Sequence, residues 1–243
     1  MMKVFVIILN WNRIKDTLAC LESVKTLNIQ GFELKILIID NASTDDSLEK
    51  LKEVKNIELI SNKTNLGFAG GNNIGITYAL KNDADYVVVL NNDTILEKNS
   101  LNTLVKTATD NPKAGAISPK IYFEKGYEFH KNKYNETDKG KVIWYAGGII
   151  DWENIYGSGR GVDEVDGGLF NKTTETDFAT GTCMFLTRDV MEKVGIFDEK
   201  YFMYYEDTDL SQRLKKGGFD VVYVPDATIW HKVAQSSGIG SDL

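Results

Sequence analysis

The chain has 243 residues, a length that suits one large α/β domain with a substantial hydrophobic core. Its formal net charge of −7 argues against the broad basic surface that general nucleic-acid binding requires. The apolar run at residues 4–9 is far shorter than the ~20 residues of a membrane-spanning helix, and no secretory cleavage pattern follows it. The two cysteines, Cys20 and Cys183, stand in apolar segments, which predicts buried free thiols in a reducing cytoplasm.

Apolar runs alternate with amphipathic segments through the first 111 residues. Strands are predicted at residues 4–9, 35–40, 57–60 and 86–90. Helices are predicted at residues 16–27, from 45 or 46 through 54, at 69–80 and at 99–109. Strands that alternate with helices predict a parallel sheet, whose ligands bind beyond the carboxyl ends of the strands.

The second half, residues 112–243, is less regular. A polar surface loop is predicted at residues 124–141, a strand at 182–187, helices at 188–194 and 206–216, and late strands at 221–224 and 228–231. The Ser/Gly-rich residues 235–243 are interpreted as a tail or as the point where a longer protein was cut. We predict a single domain, 1–243, with two subregions.

Polar side chains follow three of the predicted strands. They are Asn10, Trp11 and Asn12, then Asp40 and Asn41, and finally Asn91, Asn92 and Asp93. Because parallel strand ends meet at one edge of a sheet, a single site is predicted there. Asp93 suits a hard divalent cation whose coordination is completed by phosphate oxygens. The alternative is an ordinary turn, since Asn and Asp are frequent turn residues.

Two neighbouring segments add weaker signals. Asp40 is predicted to accept from a base N–H or a ribose hydroxyl, while Ser43 or Thr44 caps the next helix. The glycine-containing segment 65–73 begins a helix and lets the backbone approach a ligand closely. It has neither the spacing of a P-loop nor that of a dinucleotide-binding loop.

An acidic helix start and a late histidine complete the set. Glu206, Asp207 and Asp209 crowd into one helical turn, and a carboxylate there is predicted to deprotonate an acceptor hydroxyl. The alternative is compensation of the helix dipole. His231 is either a structural residue or a further metal ligand beside Asp93.

Together these segments resemble the inverting glycosyltransferases of family 2, and within it the rhamnosyltransferase-like enzymes of surface polysaccharide assembly. The segments that carry the resemblance are residues 6–12, 39–45, 65–72, 90–93 and 202–210 with Arg213. The resemblance implies a GT-A fold of the α/β class. Such a fold has a Rossmann-like nucleotide-sugar-binding half (1–111), a mixed central sheet and an acceptor-binding, catalytic half (112–243).

The resemblance also implies site roles. Nucleotide-sugar contacts are expected from Asn10, Asn12, Asp40, Asn41, Gly67, Asn72, Asn91 and Asn92. Asp93, with His231, is expected to hold Mg²⁺ or Mn²⁺, and Asn91 stands where the first Asp of the family's Asp-x-Asp element often sits. Asp207 is the expected base, with Glu206 as its neighbour and alternative. Asp177, Thr180 and Gly181 are expected to floor the acceptor cleft.

The expected reaction is transfer of one sugar, with inversion, from dTDP-rhamnose or a UDP-hexose to a saccharide or lipid-linked acceptor. The Gln-x-x-Arg-Trp element of processive synthases is absent. We expect a cytoplasmic chain with no transmembrane segment, compatible with peripheral association at the inner face of the membrane. Family members commonly continue past this length, so a truncated or minimal form is expected. The alternatives are a nucleotidyltransferase that makes the nucleotide sugar and a non-catalytic module that binds it.

Overall fold

The computed structural model describes residues 1–130 and 133–233; the predicted tail at 235–243 lies outside them. The first half consists of β1 (Met2–Asn10), α1 (Ile14–Lys25), β2 (Phe32–Asp40), α2 (Ser47–Lys52), β3 (Glu58–Ser61), α3 (Gly67–Lys81) and β4 (Tyr86–Asn91). All four predicted strands and all three of these helices are present, with bounds that differ by a few residues. The strands are parallel in the order β3-β2-β1-β4, so their carboxyl ends share one edge.

The second half extends the same sheet. Its elements are β5 (Thr94–Leu96), α4 (Ser100–Asp110), β6 (Ala114–Phe123), β7 (Ile143–Tyr145), β8 (Gly148–Asp151), β9 (Tyr156–Gly159), β10 (Thr174–Glu175), β11 (Cys183–Thr187), α5 (Arg188–Lys193), α6 (Glu206–Lys216) and β12 (Asp220–His231). Strand β11 lies antiparallel between β4 and β6, and β12 continues parallel to β6. The sheet is therefore mixed, which confirms the predicted fold class.

Two strand predictions are corrected. The sequence pattern missed β6, a ten-residue strand at the centre of the second half. It also divided β12 into two strands at Pro225, whereas the structure has one strand with a register shift between Val224 and Thr228. A proline lacks the N–H that a regular ladder needs, and the shifted register accommodates it without ending the strand.

Apolar side chains cover both faces of the sheet, as expected of strands with helices on both sides. Helix α3 packs closely on β1 because it carries glycines: a Cβ on Gly75 would lie 2.6 Å from Cγ2 of Ile7. Cys20 and Cys183 are buried free thiols, as predicted. Within the described ranges, no helix is both long and apolar enough to cross a membrane.

Candidate active site

A cavity of about 790 Å³ opens at the carboxyl edge of the parallel strands. Its wall includes Trp11, Asn41 and Asn92 from the first half and Thr180, Asp207 and His231 from the second. The predicted strand ends therefore do meet at one site. The first turn of α6 and the end of β12 line the same cavity.

Asp93 and His231 lie together in the wall of this cavity. Strand β5 pairs with β12 so that Thr94 is opposite His231, which brings the two side chains side by side. Their exposed fractions are 3% and 4%, and Nε2 of His231 is 3.1 Å from Oδ1 of Asp93. The indole of Trp144 meets the imidazole edge to face at 4.7 Å, which fixes the orientation of the ring.

The chemistry of this pair fits a divalent cation. Two adjacent ligands at ~2.1 Å from an octahedral ion are about 3 Å apart, close to the separation of Oδ1 and Nε2. Nδ1 of His231 has no hydrogen-bond partner among the described residues, so the imidazole is not committed to another group. In residues 1–130 and 133–233 no cluster of three or more His, Cys, Asp or Glu side chains assembles. Oxygens from a phosphate ligand or from water would suit further positions on such an ion.

Helix α6 places two carboxylates on the opposite wall. Its first residue, Glu206, follows Tyr204 and Tyr205, whose φ values of 75° and 69° lie in the left-handed region. That backbone turn aims both Glu206 and Asp207 into the cavity. Non-glycine residues adopt this conformation at an energetic cost, and such strain is frequent at functional sites.

Asp207 is oriented by hydrogen bonds at both oxygens. Oδ2 accepts the backbone N–H of Gly181 at 2.8 Å, and Oδ1 accepts that of Thr208 at 2.6 Å. Burial raises the pKa of Asp207, and these bonds offset part of the rise. Burial, together with the charge of Asp207, raises the pKa of Glu206 to about 7. A carboxylate with a raised pKa is a stronger base than an exposed one.

The residues with expected nucleotide contacts divide into two groups. Those that line the cavity are Asn41, Gly67, Asn91 and Asn92. Those that do not are Asn10, Asn12, Asp40 and Asn72. The second group is engaged within the protein: Nδ2 of Asn10 donates to Oδ1 of Asp40, for example, and Nδ2 of Asn72 donates to the Phe68 carbonyl. For both groups, contact with a nucleotide stays a prediction.

In the predicted acceptor floor, Thr180 and Gly181 line the cavity, whereas Asp177 bonds to Lys215 away from it. Trp11 lines the cavity at a strand end predicted to lie at the site, whereas no site role is predicted for Phe68 and Trp144, which also line it. No local pattern marks Trp144, because its role depends on His231, which is distant in the sequence.

Solved structures share the fold. The structure of GalNAc-T7 with UDP, GalNAc and Mn²⁺ aligns with a TM-score of 0.74 at 16% identity, covering 95% of this chain and 44% of that one. The mannosyltransferase PcManGT from Pyrobaculum calidifontis, in complex with GDP-Man and Mn²⁺, aligns with a TM-score of 0.63 at 17% identity, covering 96% and 58%. The chain thus spans less than two thirds of either structure.

Curated relatives include N-acetylglucosaminyl-diphospho-decaprenol L-rhamnosyltransferase of Mycobacterium tuberculosis, 30% identical over 84% of this chain and 68% of the relative. Rhamnosyltransferase WbbL of Escherichia coli is 26% identical over 83% and 74%. Residues 5–195 match the family described as Glycosyl transferase family 2, and residues 152–239 match Glycosyl transferase family group 2. With the fold and the predicted segments in the expected order, this chain belongs to glycosyltransferase family 2.

Proposed function

We propose that this chain transfers one sugar from a nucleoside-diphosphate sugar to an acceptor hydroxyl, with inversion, in the assembly of a cell-surface glycan. The observation that carries the proposal is the convergence on one cavity of three groups: the Asp93–His231 pair, the carboxylate of Asp207 and the strand ends of the first half. In this arrangement residues 1–111 hold the nucleotide sugar, and residues 112–243 hold the acceptor and supply the base.

Asp93 and His231 are the residues that would hold Mg²⁺ or Mn²⁺. When bound, the cation offsets the negative charge that develops on the departing nucleoside diphosphate. The likeness to structures solved with Mn²⁺ supports a divalent ion, and the paired oxygen and nitrogen donors are compatible with Mn²⁺. In a chain with a net charge of −7, a bound cation also compensates for the negative charge of the nucleotide.

Asp207 acts as the general base. The acceptor oxygen attacks the anomeric carbon while its proton passes to the Asp207 carboxylate, and the bond from the anomeric carbon to the diphosphate oxygen breaks. Attack from the face opposite the leaving group inverts the anomeric centre. The hydrogen bonds from Gly181 and Thr208 hold the carboxylate in one orientation for this step.

We propose dTDP-rhamnose as the donor, ahead of a UDP-hexose, and a saccharide or lipid-linked saccharide as the acceptor. The support is the similarity to rhamnosyltransferases, one of which is named for a diphospho-decaprenol acceptor. The exposed ring of Trp11 at the cavity wall offers a surface on which a nucleobase can stack. A lipid-linked acceptor would place the chain at the inner face of the membrane.

A thermal-shift panel tests this proposal. dTDP-rhamnose, UDP-glucose, UDP-GlcNAc and GDP-mannose are each added with and without Mn²⁺. Stabilisation reports binding to the folded state, so the expected result is the largest rise in Tm with dTDP-rhamnose, present only with Mn²⁺. Absence of any shift from all four would contradict nucleotide-sugar binding. Binding without transfer to a saccharide acceptor would favour a non-catalytic module.

A further inference from the structure

Phe68, the second residue of α3, contacts two parts of the chain that hold Asp207 in place. Its backbone N–H donates to the carbonyl of Phe202 at 2.7 Å. Its ring packs closely against Gly181, since a Cβ on Gly181 would be 3.0 Å from Cζ of the ring. We infer that Phe68 is a positioning residue for Asp207. The inference rests on the proposed role of Asp207 as the base.

The backbone contact fixes the approach to α6. Phe202 is followed within three residues by Tyr204 and Tyr205, both in the left-handed region. Such residues keep this conformation only where surrounding contacts hold them. The bond from Phe68 N–H to the Phe202 carbonyl anchors the segment just ahead of this turn, so it sets where α6 begins and where Asp207 stands.

The ring contact acts on the carboxylate of Asp207 through Gly181. Gly181 donates its backbone N–H to Oδ2 of Asp207 at 2.8 Å. A Cβ on Gly181 would lie 3.0 Å from the Phe68 ring and 3.7 Å from Cβ of Asp207. The ring and Asp207 therefore both pack on the side of Gly181 where a side chain would stand, and the ring restricts how the Gly181 backbone can move beside Asp207. Through Phe202 and through Gly181, both contacts of Phe68 therefore affect the position of the Asp207 carboxylate.

Hydrogen bonds of the preceding residue, Gly67, hold Phe68 in place. Gly67 donates its N–H to Oδ1 of Asn65 at 2.8 Å, and its carbonyl accepts from Nδ2 of Asn41 at 3.1 Å. Gly67 has φ +71°, and a Cβ there would lie 2.3 Å from the carbonyl oxygen of Phe202, so only glycine fits. These contacts link the end of β2, through Phe68, to the first turn of α6.

The substitution Phe68→Leu keeps an apolar side chain and removes the ring that packs against Gly181. Small displacements of a catalytic group reduce turnover strongly while leaving substrate affinity intact, so we expect kcat to fall about 10- to 100-fold. The Kd of dTDP, measured with Mn²⁺, should stay within about twofold, because the ring holds the base rather than the nucleotide. The matched control is Phe219→Leu, since Phe219 is also a half-buried aromatic packed on the same core face but does not line the cavity.

The test measures dTDP release from dTDP-rhamnose with a synthetic GlcNAc-diphospho-lipid acceptor, the calorimetric Kd of dTDP, and amide hydrogen exchange at Gly181. Phe68→Leu should lower kcat and speed exchange at Gly181, whereas Phe219→Leu should change neither. In Gly181→Ala the new Cβ presses on the Phe68 ring, and adding Phe68→Leu relieves that contact, so the double variant should lose less activity than the two single losses combined.

Wild-type kcat and unchanged exchange at Gly181 in Phe68→Leu would overturn the positioning role. So would an equal loss in Phe219→Leu, because that result would reflect general destabilisation. Failure of the proposed function has a different signature, namely absence of wild-type turnover or full activity of Asp207→Asn. The exchange of Gly181 responds to the ring contact in either case, since it needs no substrate.

Discussion

At the scale of single residues, Asp93 and His231 form a buried pair with an Oδ1–Nε2 separation of 3.1 Å. The variant Asp93→Ala is expected to lose Mn²⁺-dependent binding of dTDP, because it removes the only anionic member of the pair. His231→Gln should weaken Mn²⁺ binding about 10- to 100-fold without abolishing it. Calorimetric titration of Mn²⁺ and of dTDP measures both effects.

The control for this pair is His130→Gln, since the His130 side chain is 64% exposed, faces Asp163 and does not line the cavity. It should leave both titrations unchanged. Unaltered Mn²⁺-dependent nucleotide binding by Asp93→Ala would contradict the proposed role of Asp93 as a metal ligand.

The proposed base is tested by Asp207→Asn, which keeps the shape of the side chain but cannot take up a proton, and whose single amide oxygen can accept only one of the two backbone N–H groups of Gly181 and Thr208. Transfer is expected to fall about 10²- to 10⁴-fold while the Kd of dTDP is retained. The control is Asp209→Asn in the same helix, because Asp209 is paired with Arg213 at 2.8 Å and does not line the cavity. An active Asp207→Asn variant would transfer the role of base to Glu206 or elsewhere.

The sequence predicted where the cavity lies better than it predicted which side chains line it. The polar residues at the strand ends predicted the edge of the sheet at which the cavity opens, because parallel strands end together. The side chains of Asn10 and Asp40 are nonetheless bonded to each other inside the wall. Such pairings depend on rotamers and neighbours distant in sequence, so local pattern did not distinguish a residue that lines the cavity from one that supports it.

At the scale of elements, the start of α6 makes stability depend on pH. Glu206 has an ordinary pKa of 4.5 and a folded-state pKa of about 7, so the folded chain retains a proton that the unfolded chain releases between these values. The free energy of unfolding therefore falls as the pH rises through this window. Glu206→Gln should remove this pH-dependent fall in the free energy of unfolding, which reaches about 3 kcal/mol at pH values above the folded-state pKa.

Denaturant unfolding of metal-free protein at pH 4 and pH 8 checks this expectation. The gain of Glu206→Gln over wild type should be larger at pH 8 than at pH 4. Glu192→Gln is the control, because Glu192 forms a surface pair with Arg188 and its side chain is 54% exposed. Equal effects of Glu206→Gln at both pH values would contradict the raised pKa.

Helix α3 lies close to β1 because its glycines leave room for the strand's side chains. In Gly75→Ala the new Cβ would lie 2.6 Å from Cγ2 of Ile7, so overpacking is expected to lower the free energy of unfolding by about 1–3 kcal/mol. Gly167→Ala is the control, since a Cβ at Gly167 has no neighbour within 4 Å. Urea unfolding distinguishes them, and equal stability of the two variants would contradict close packing at Gly75.

The elements predicted from the sequence were those with a clear period, namely β1 to β4 and the longer helices. Strand β6 was missed because it includes Pro119 and Lys120, which are uncommon in a central strand. Lys120 is only 2% exposed, and its charge is balanced at 2.7 Å by Asp166 from a later loop. A buried lysine becomes acceptable only through that distant partner, which no window around β6 contains.

At the scale of the whole molecule, one mixed sheet joins both halves of the chain. The antiparallel β11, placed between β4 and β6, brings the loop at Thr180 and Gly181 to the edge where the parallel strands end. Helix α6 and the end of β12 approach the same edge. The ends of the parallel strands, the Asp93–His231 pair and Asp207 thus share one cavity although they are spread over more than 200 residues.

Sugar transfer itself tests the proposed function most directly. The protein is incubated with Mn²⁺, dTDP-rhamnose or a UDP-hexose, and a GlcNAc-diphospho-lipid acceptor, and the product is analysed by mass spectrometry and NMR. The expected product is an acceptor heavier by one sugar residue, with the anomeric configuration opposite to that of the donor, and no product is expected when EDTA is present. An acceptor left unchanged by every donor, while Mn²⁺-dependent nucleotide binding persists, would contradict the assignment as a transferase.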